Sequence, residues 1–259
     1  MFGRLFGFKA RSRKEISSSF SAAPLIPKGE RVYAVGDIHG RLDLLRRCHE
    51  HIQADLQKNP IDHAKVIYLG DYVDRGPASN QVLSELIERP IEGVESVYLR
   101  GNHEHFMLLF LEDPLHARMW LDYGGLAALI SYNVQVPAIQ KADERLLALR
   151  DGLKRNIPAS HIEFLGRLQL TYEVGDYLFV HAGVHPLRPF AQQIVTDLIS
   201  IRSPFIEWNK PLAKMIVHGH TISEEPEFKP HRIGIDTGAF ATGRLTCLVL
   251  EGQDKRILG

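Results

Sequence analysis

Cysteine is almost missing from this chain: Cys48 and Cys247 are the only two in 259 residues. That excludes a disulfide framework and a thiolate metal site. Charge of one sign is missing as well, because 31 Lys and Arg face 31 Asp and Glu. A neutral chain gives no reason to expect a polyanion such as nucleic acid as its main partner. No stretch approaches the roughly 18 uninterrupted apolar residues of a membrane span. The first residues also lack the apolar run and small-residue cleavage site of a secretory signal, so a cytoplasmic location is expected. Acids are scarce over residues 1–28, where Glu15 faces Arg4, Lys9, Arg11, Arg13, Lys14 and Lys28. This reads as a basic, disordered tail. Phe2, Leu5, Phe6 and Phe8 offer the alternative of a short surface helix on anionic lipid or a partner, and the acid-poor start also resembles a transit peptide.

Beyond the tail, at 44% hydrophobic and 24% charged, the chain has enough apolar residue for one sizeable core. Residues 29–259 are read as a single domain, with no repeats and no internal linker. Arg31–Gly36, Lys65–Gly70 and Ser96–Gly101 are short β-branched, apolar runs ending in glycine, the pattern of buried strands. Leu45, Cys48, Ile52 and Leu56 recur at helical spacing after the first run, until Asn59-Pro60 stops them. A second helix is expected over Ser79–Glu88. A third begins near Phe106, Gly124-Gly125 breaks a helical stretch, and Ser160 with Glu163 forms a capping box for another helix. Strands resume at Tyr177–His181, Lys214–His218, Arg232–Asp236 and Arg244–Glu251. The alternation predicts an α/β fold with a largely parallel sheet.

The polar residues of interest sit where these runs end: Asp37, His39, Asp71, Asn102, His181 and His220. Ligand crevices form at the carboxyl ends of parallel strands. Each of the three early runs ends in glycine followed directly by Asp or Asn. The expectation is that the glycines turn the backbone sharply and aim the next side chain into the crevice. Two carboxylates, an amide oxygen and three imidazoles form an O/N ligand set without sulfur. It suits divalent Mn, Fe or Zn, and six side chains suit two ions if one carboxylate is shared.

Gly36-Asp-Ile-His-Gly40, Gly70-Asp-Tyr-Val-Asp-Arg-Gly76 and Leu99-Arg-Gly-Asn-His-Glu104 follow one another at intervals of about thirty residues. With His181-Ala-Gly183 and Val217-His-Gly-His-Thr221 they resemble the signatures of the PPP serine/threonine phosphatases, within the calcineurin-like metallophosphoesterases. The resemblance implies a metallophosphoesterase fold, a central β-sandwich flanked by helices in αββα layers. It implies that Asp37, His39 and Asp71 hold one ion, and that Asp71, Asn102, His181 and His220 hold a second, most simply manganese. A water between the ions would be the nucleophile, His103 the general acid, Asp74 the group that holds its imidazole, and Arg75 the fork on the phosphate. Arg202 is the candidate for the family's second phosphate-binding arginine. His181-Ala-Gly replaces the eukaryotic His-Gly-Gly, and Ile235–Arg244 lacks the eukaryotic Asn-Tyr-Cys loop, so the chain resembles a bacterial branch.

The implied activity is hydrolysis of phosphate esters on phosphorylated proteins, at serine or threonine and also at tyrosine, or on small phosphoesters. The alternative within the same chemistry is a dinucleoside polyphosphate hydrolase. An alternative of another class is a metal-stabilised scaffold that binds phosphoproteins without turnover. A cysteine-based phosphatase is excluded: the position six after each cysteine, where such enzymes need arginine, holds Ala54 or Gln253. Glu104 is read as anchoring its loop by hydrogen bonds, Tyr72 and Val73 as wall residues, Asp236 as a turn residue with an acceptor backing the site as the alternative, and Cys48 as core. His185 and His218 adjoin site motifs and are candidates for backing them, while the other histidines are read as structural.

Overall fold

The structure, a computed structural model, describes residues 23–259. The expected tail lies outside the described residues up to residue 22. Its last residues are docked: Ile26 is fully buried and its amide donates to Gly252 O.

Two five-stranded sheets make the centre. The first contains β1 (Glu30–Val35), β2 (His63–Tyr68), β3 (Glu95–Tyr98), β9 (Cys247–Glu251) and β10 (Asp254–Leu258), in the order β10-β9-β1-β2-β3. The second contains β4 (Thr171–Val174), β5 (Tyr177–Val180), β6 (Met215–His218), β7 (Glu227–Phe228) and β8 (Arg232–Gly234), in the order β4-β5-β6-β8-β7. Both sheets are mixed. β1, β2 and β3 are parallel, as are β5, β6 and β8, while β9, β10, β4 and β7 pair antiparallel at the flanks. The two sheets are the β-sandwich that the resemblance implied; the largely parallel sheet read from the alternation is corrected to two mixed ones, because which runs pair with which is not encoded in their periodicity.

Side-chain alternation shows why the strands read as continuous apolar runs. Val32 and Ala34 of β1 face Tyr177, Phe179, Met215 and Val217 of the other sheet, whereas Tyr33 and Val35 face the helices. Leu178, Val180 and Ile216 on the far side of the second sheet pack on Leu198 and Ile199. Strands covered on both faces are apolar at every position. The layers are therefore helix, sheet, sheet, helix, the metallophosphoesterase fold. On the side of the first sheet lie α1 (Leu42–Lys58), α2 (Ser79–Glu88), α3 (Asn102–Glu112), α4 (Leu126–Ser131), α5 (Ala142–Asn156) and α6 (Ala159–Arg167); α7 (Val195–Ser200) covers the second sheet. The one-turn α8 (Ala239–Thr242) lies between β8 and β9 in the chain.

Leu45, Cys48 and Ile52 are the buried stripe of α1, as their spacing requires. Three local expectations change. Helix α3 begins at Asn102, four residues before Phe106, because Gly101 is extended and the Glu104 carboxylate accepts its amide N–H. Helix α6 starts at Ala159 behind Pro158, and Ser160 makes no capping bond. Residues 244–246 precede β9 rather than belonging to it. No helix among the described residues is long and apolar enough to cross a membrane.

Candidate metal centre

The carboxyl ends of β1, β2, β5, β6 and β8 and the N-terminus of α3 meet at one edge of the sandwich, and their connecting loops lock onto one another. Ile38 and His39 N–H donate to Asp71 O, Gly40 N–H to Tyr72 O, and Gly219 N–H to His181 O. Of the glycines expected to turn the chain, only Gly70 has positive φ, at 106°. Gly101 is extended, and it is required for close approach, since a Cβ there would lie 2.1 Å from Asp71 Oδ1. The sharp turns fall on the functional residues themselves. Six non-glycine residues among those described have positive φ, and five are site residues: His39, Asp71, Asp74, Arg75 and His220. Left-handed backbone at such residues persists only where the surroundings impose it, and it concentrates at functional sites.

All six expected ligands converge. Asp71 is central: its Oδ2 lies 3.4 Å from His39 Nε2, and its Oδ1 lies 3.3 Å from His181 Nε2. His39, Asp71 and His103 form one potential metal-holding group, and Asp71, His181 and His220 form another. Asn102 Oδ1 lies 3.1 Å from His181 Nε2. Asp37 accepts the His220 backbone N–H at 3.1 Å, which ties the first motif to the last. His39 Nδ1–H donates to Val73 O and His181 Nδ1–H to Leu69 O, both at 2.8 Å. A backbone carbonyl on one ring nitrogen turns the other nitrogen's lone pair toward the centre, as metal-binding histidines require.

The electrostatics fit a cation. Asp37, Asp71 and Asp236 are each 2% exposed, and Asp236 Oδ2 has no hydrogen-bond partner. Burial, then Asp236 and Asp71, push the Asp37 carboxyl well above its ordinary range. Burial also raises Asp236. Burial opposes ionisation of Asp71 too, but His181 and His103 hold it well below the ordinary range. Buried acids this close need a positive charge among them to stay ionised. Burial lowers His39 and His220 to about 3, so both are neutral and free to ligate. The O/N donor set and the crowded, unneutralised carboxylates fit divalent ions.

His103 occupies the first turn of α3. Its Nδ1–H donates to Asp74 Oδ2 at 2.6 Å, while Nε2 faces Asp71 Oδ2 at 3.8 Å. Burial disfavours its charged form, but Asp71 and Asp74 outweigh that and raise its pKa, the direction a proton donor needs. Arg75 reaches across the crevice, with Nη1 2.9 Å from His39 Nε2 and its guanidinium 4.7 Å from the Phe240 ring centre. Arg202 is exposed on the rim, where Nη2 donates to His220 O at 3.3 Å.

The Glu104 carboxylate accepts the backbone N–H groups of Asp71, Tyr72, Val73 and Gly101, which stitches the second motif to the third. We expect Glu104→Ala to cost about 3 kcal/mol or more in urea unfolding of the metal-free protein, because four buried donors lose their acceptor. A loss below 1 kcal/mol would show that the loops do not depend on it. Tyr72 and Val73 are fully buried core residues, not walls of the crevice. Asp236 Oδ1 accepts Gly238 N–H in a turn, while its free oxygen lies among the site acids. The His218 ring is turned onto Gly219 O and Arg232, and His185 bonds within its own loop. Sequence reading missed Trp120, whose indole N–H donates to Asp74 Oδ2, and Phe240 beside His39. No spacing rule singles out either.

Known proteins resemble the chain both in sequence and in fold. The chain is 28% identical over 244 residues to a bis(5'-nucleosyl)-tetraphosphatase PrpE [asymmetrical] of Bacillus thuringiensis, covering 83% of this chain and 88% of the relative. It is 27% identical over 244 residues to the protein of that name from Bacillus anthracis, with the same coverages. Among solved structures it is similar to a candidate diadenosine tetraphosphatase, with TM-score 0.62, 21% identity, and coverage of 91% of this chain and 97% of that one. It is also similar to a cold-active protein-tyrosine phosphatase of a Shewanella species, with TM-score 0.51, 16% identity, and coverage of 91% and 83%. At these identities the structural likenesses concern the fold alone. The sequence model of the calcineurin-like phosphoesterases matches residues 30–224, from β1 through the His220 loop and well over half of the chain, and the chain belongs to that family.

Proposed function

We propose that this phosphoesterase hydrolyses dinucleoside tetraphosphates into two unequal nucleotides. The similarity to the PrpE tetraphosphatases, spread over 83% of this chain rather than confined to the metal motifs, carries that reading. It favours the nucleotide alternative over the protein phosphatase expected from the motifs.

Asp37, His39 and Asp71 would hold one divalent ion, and Asp71, Asn102, His181 and His220 would hold a second; manganese suits the set. Such a pair, when bound, would supply an activated water and shield the charge of the phosphate. The remaining steps belong to side chains. Arg75, and Arg202 from the rim, bind non-bridging phosphate oxygens as planar forks. His103 Nε2–H gives its proton to the departing oxygen. Asp74 Oδ2 holds the proton on Nδ1, orients the ring and stabilises the imidazolium before transfer.

One observation favours a second reading, hydrolysis of phosphoserine or phosphothreonine. A buried His103–Asp74 pair matters most when the leaving group is a strongly basic alkoxide. A departing nucleotide leaves as a phosphate with a second pKa of about 6 and needs less help. Diadenosine tetraphosphate, a phosphoserine peptide and a phosphotyrosine peptide, assayed side by side with manganese, decide. We expect the nucleotide to be turned over with kcat/KM at least tenfold above either peptide, and a chelator to abolish the activity. Preferential turnover of a peptide would select the second reading. Full metal loading without turnover of any of the three would select the scaffold.

A further inference from the structure

We infer that Trp120 is a positioning residue that holds Asp74 on His103, and that residues 118–125 are a clamp on the Asp74-Arg75 dipeptide. The inference rests on His103 being the proton donor. Trp120 is fully buried, and its Nε1–H donates at 2.7 Å to Asp74 Oδ2, the oxygen that also binds His103 Nδ1. Asp74 Oδ1 has no partner, so a single oxygen receives both bonds and the indole fixes where it points.

The indole is itself wedged. Its ring centre lies 4.9 Å from that of Phe110, and a Cβ on Gly125 would come within 2.5 Å of it. One residue before Gly125, Gly124 O accepts the Arg75 backbone N–H at 3.2 Å. The segment therefore grips both members of the dipeptide, Asp74 by its side chain and Arg75 by its backbone. Those two residues are consecutive and both left-handed, with φ of 72° and 64°. Two such L-residues in a row do not hold that shape alone. Ser79 Oγ, which accepts Asp74 N–H, and the 118–125 segment impose it. The Gly124-Gly125 pair that reads as a helix break lets the chain pass close enough to do so.

The test removes the N–H, once with the bicyclic shape lost and once with it kept. Trp120→Phe and site-specific benzothienylalanine at position 120, which keeps the bicyclic shape but has sulfur for N–H, are prepared in the full chain with metal content measured. The proton between His103 Nδ1 and Asp74 Oδ2 is followed as a downfield NMR resonance. Turnover is compared on two esters of one phosphoryl group, leaving as p-nitrophenolate or as an alkoxide. We expect the resonance to shift or broaden away in both variants. The alkoxide ester should slow about tenfold and the p-nitrophenyl ester less than about twofold, with metal content unchanged. An unmoved resonance, or equal slowing of both esters, would overturn the assignment. A wrong donor assignment is detected separately, since His103→Asn would then spare the alkoxide ester.

Discussion

Asp71→Asn is expected to lose metal at both positions and to lower turnover by about a thousandfold or more. Each carboxylate oxygen of Asp71 faces a different imidazole, Oδ2 toward His39 and Oδ1 toward His181, so one side chain serves both halves of the centre. An amide keeps the volume but removes the charge and offers one oxygen instead of two. The backbone tolerates the change, because asparagine is among the few side chains at ease at the φ of 53° found here. The deficit therefore reports ligation rather than misfolding. Metal analysis of the purified variant is the measurement. Two retained equivalents per chain would rule out Asp71 as the shared ligand.

His103→Asn should lower turnover of an alkoxide ester by at least about a hundredfold while leaving metal content near normal. The ring stands in the first turn of α3 with Nδ1 committed to Asp74, so only Nε2 is available to a departing oxygen. Asparagine preserves a polar contact to Asp74 but has no proton to transfer. The same variant should slow a p-nitrophenyl ester far less, because that leaving group departs without protonation. Equal loss on both esters, or loss of metal, would move His103 from proton transfer to ligation. The grouping of its ring with His39 and Asp71 makes that a real alternative outcome.

Much of the centre is legible in the chain because its chemistry is written in residue types that have few other reasons to recur together. Aspartate, histidine and asparagine directly after apolar runs mark strand ends, and the strand ends assemble the crevice. Glu104 is also readable as an anchor of its loop, although only the fold shows that it is buried and which four backbone amides it binds. Trp120 and Phe240 are not, because an aromatic residue in a helical stretch or a turn has many uses and only its neighbours identify one. Asp236 shows the boundary most clearly. A turn role follows from its position after a strand and is observed in its bond to Gly238, yet its second oxygen lies free among the site acids.

By itself the sequence determined the main apolar runs that become strands and the Asp, Asn and His side chains at their ends, since such runs form buried strands and the donor chemistry is carried by residue type. Only the tertiary structure decided which strands pair within the two mixed sheets, that each oxygen of Asp71 faces a different imidazole, and that residues 118–125 reach back to grip Asp74 and Arg75. Those are long-range pairings. Their free energy comes from mutual burial and from hydrogen bonds between segments dozens of residues apart, and no local pattern records it.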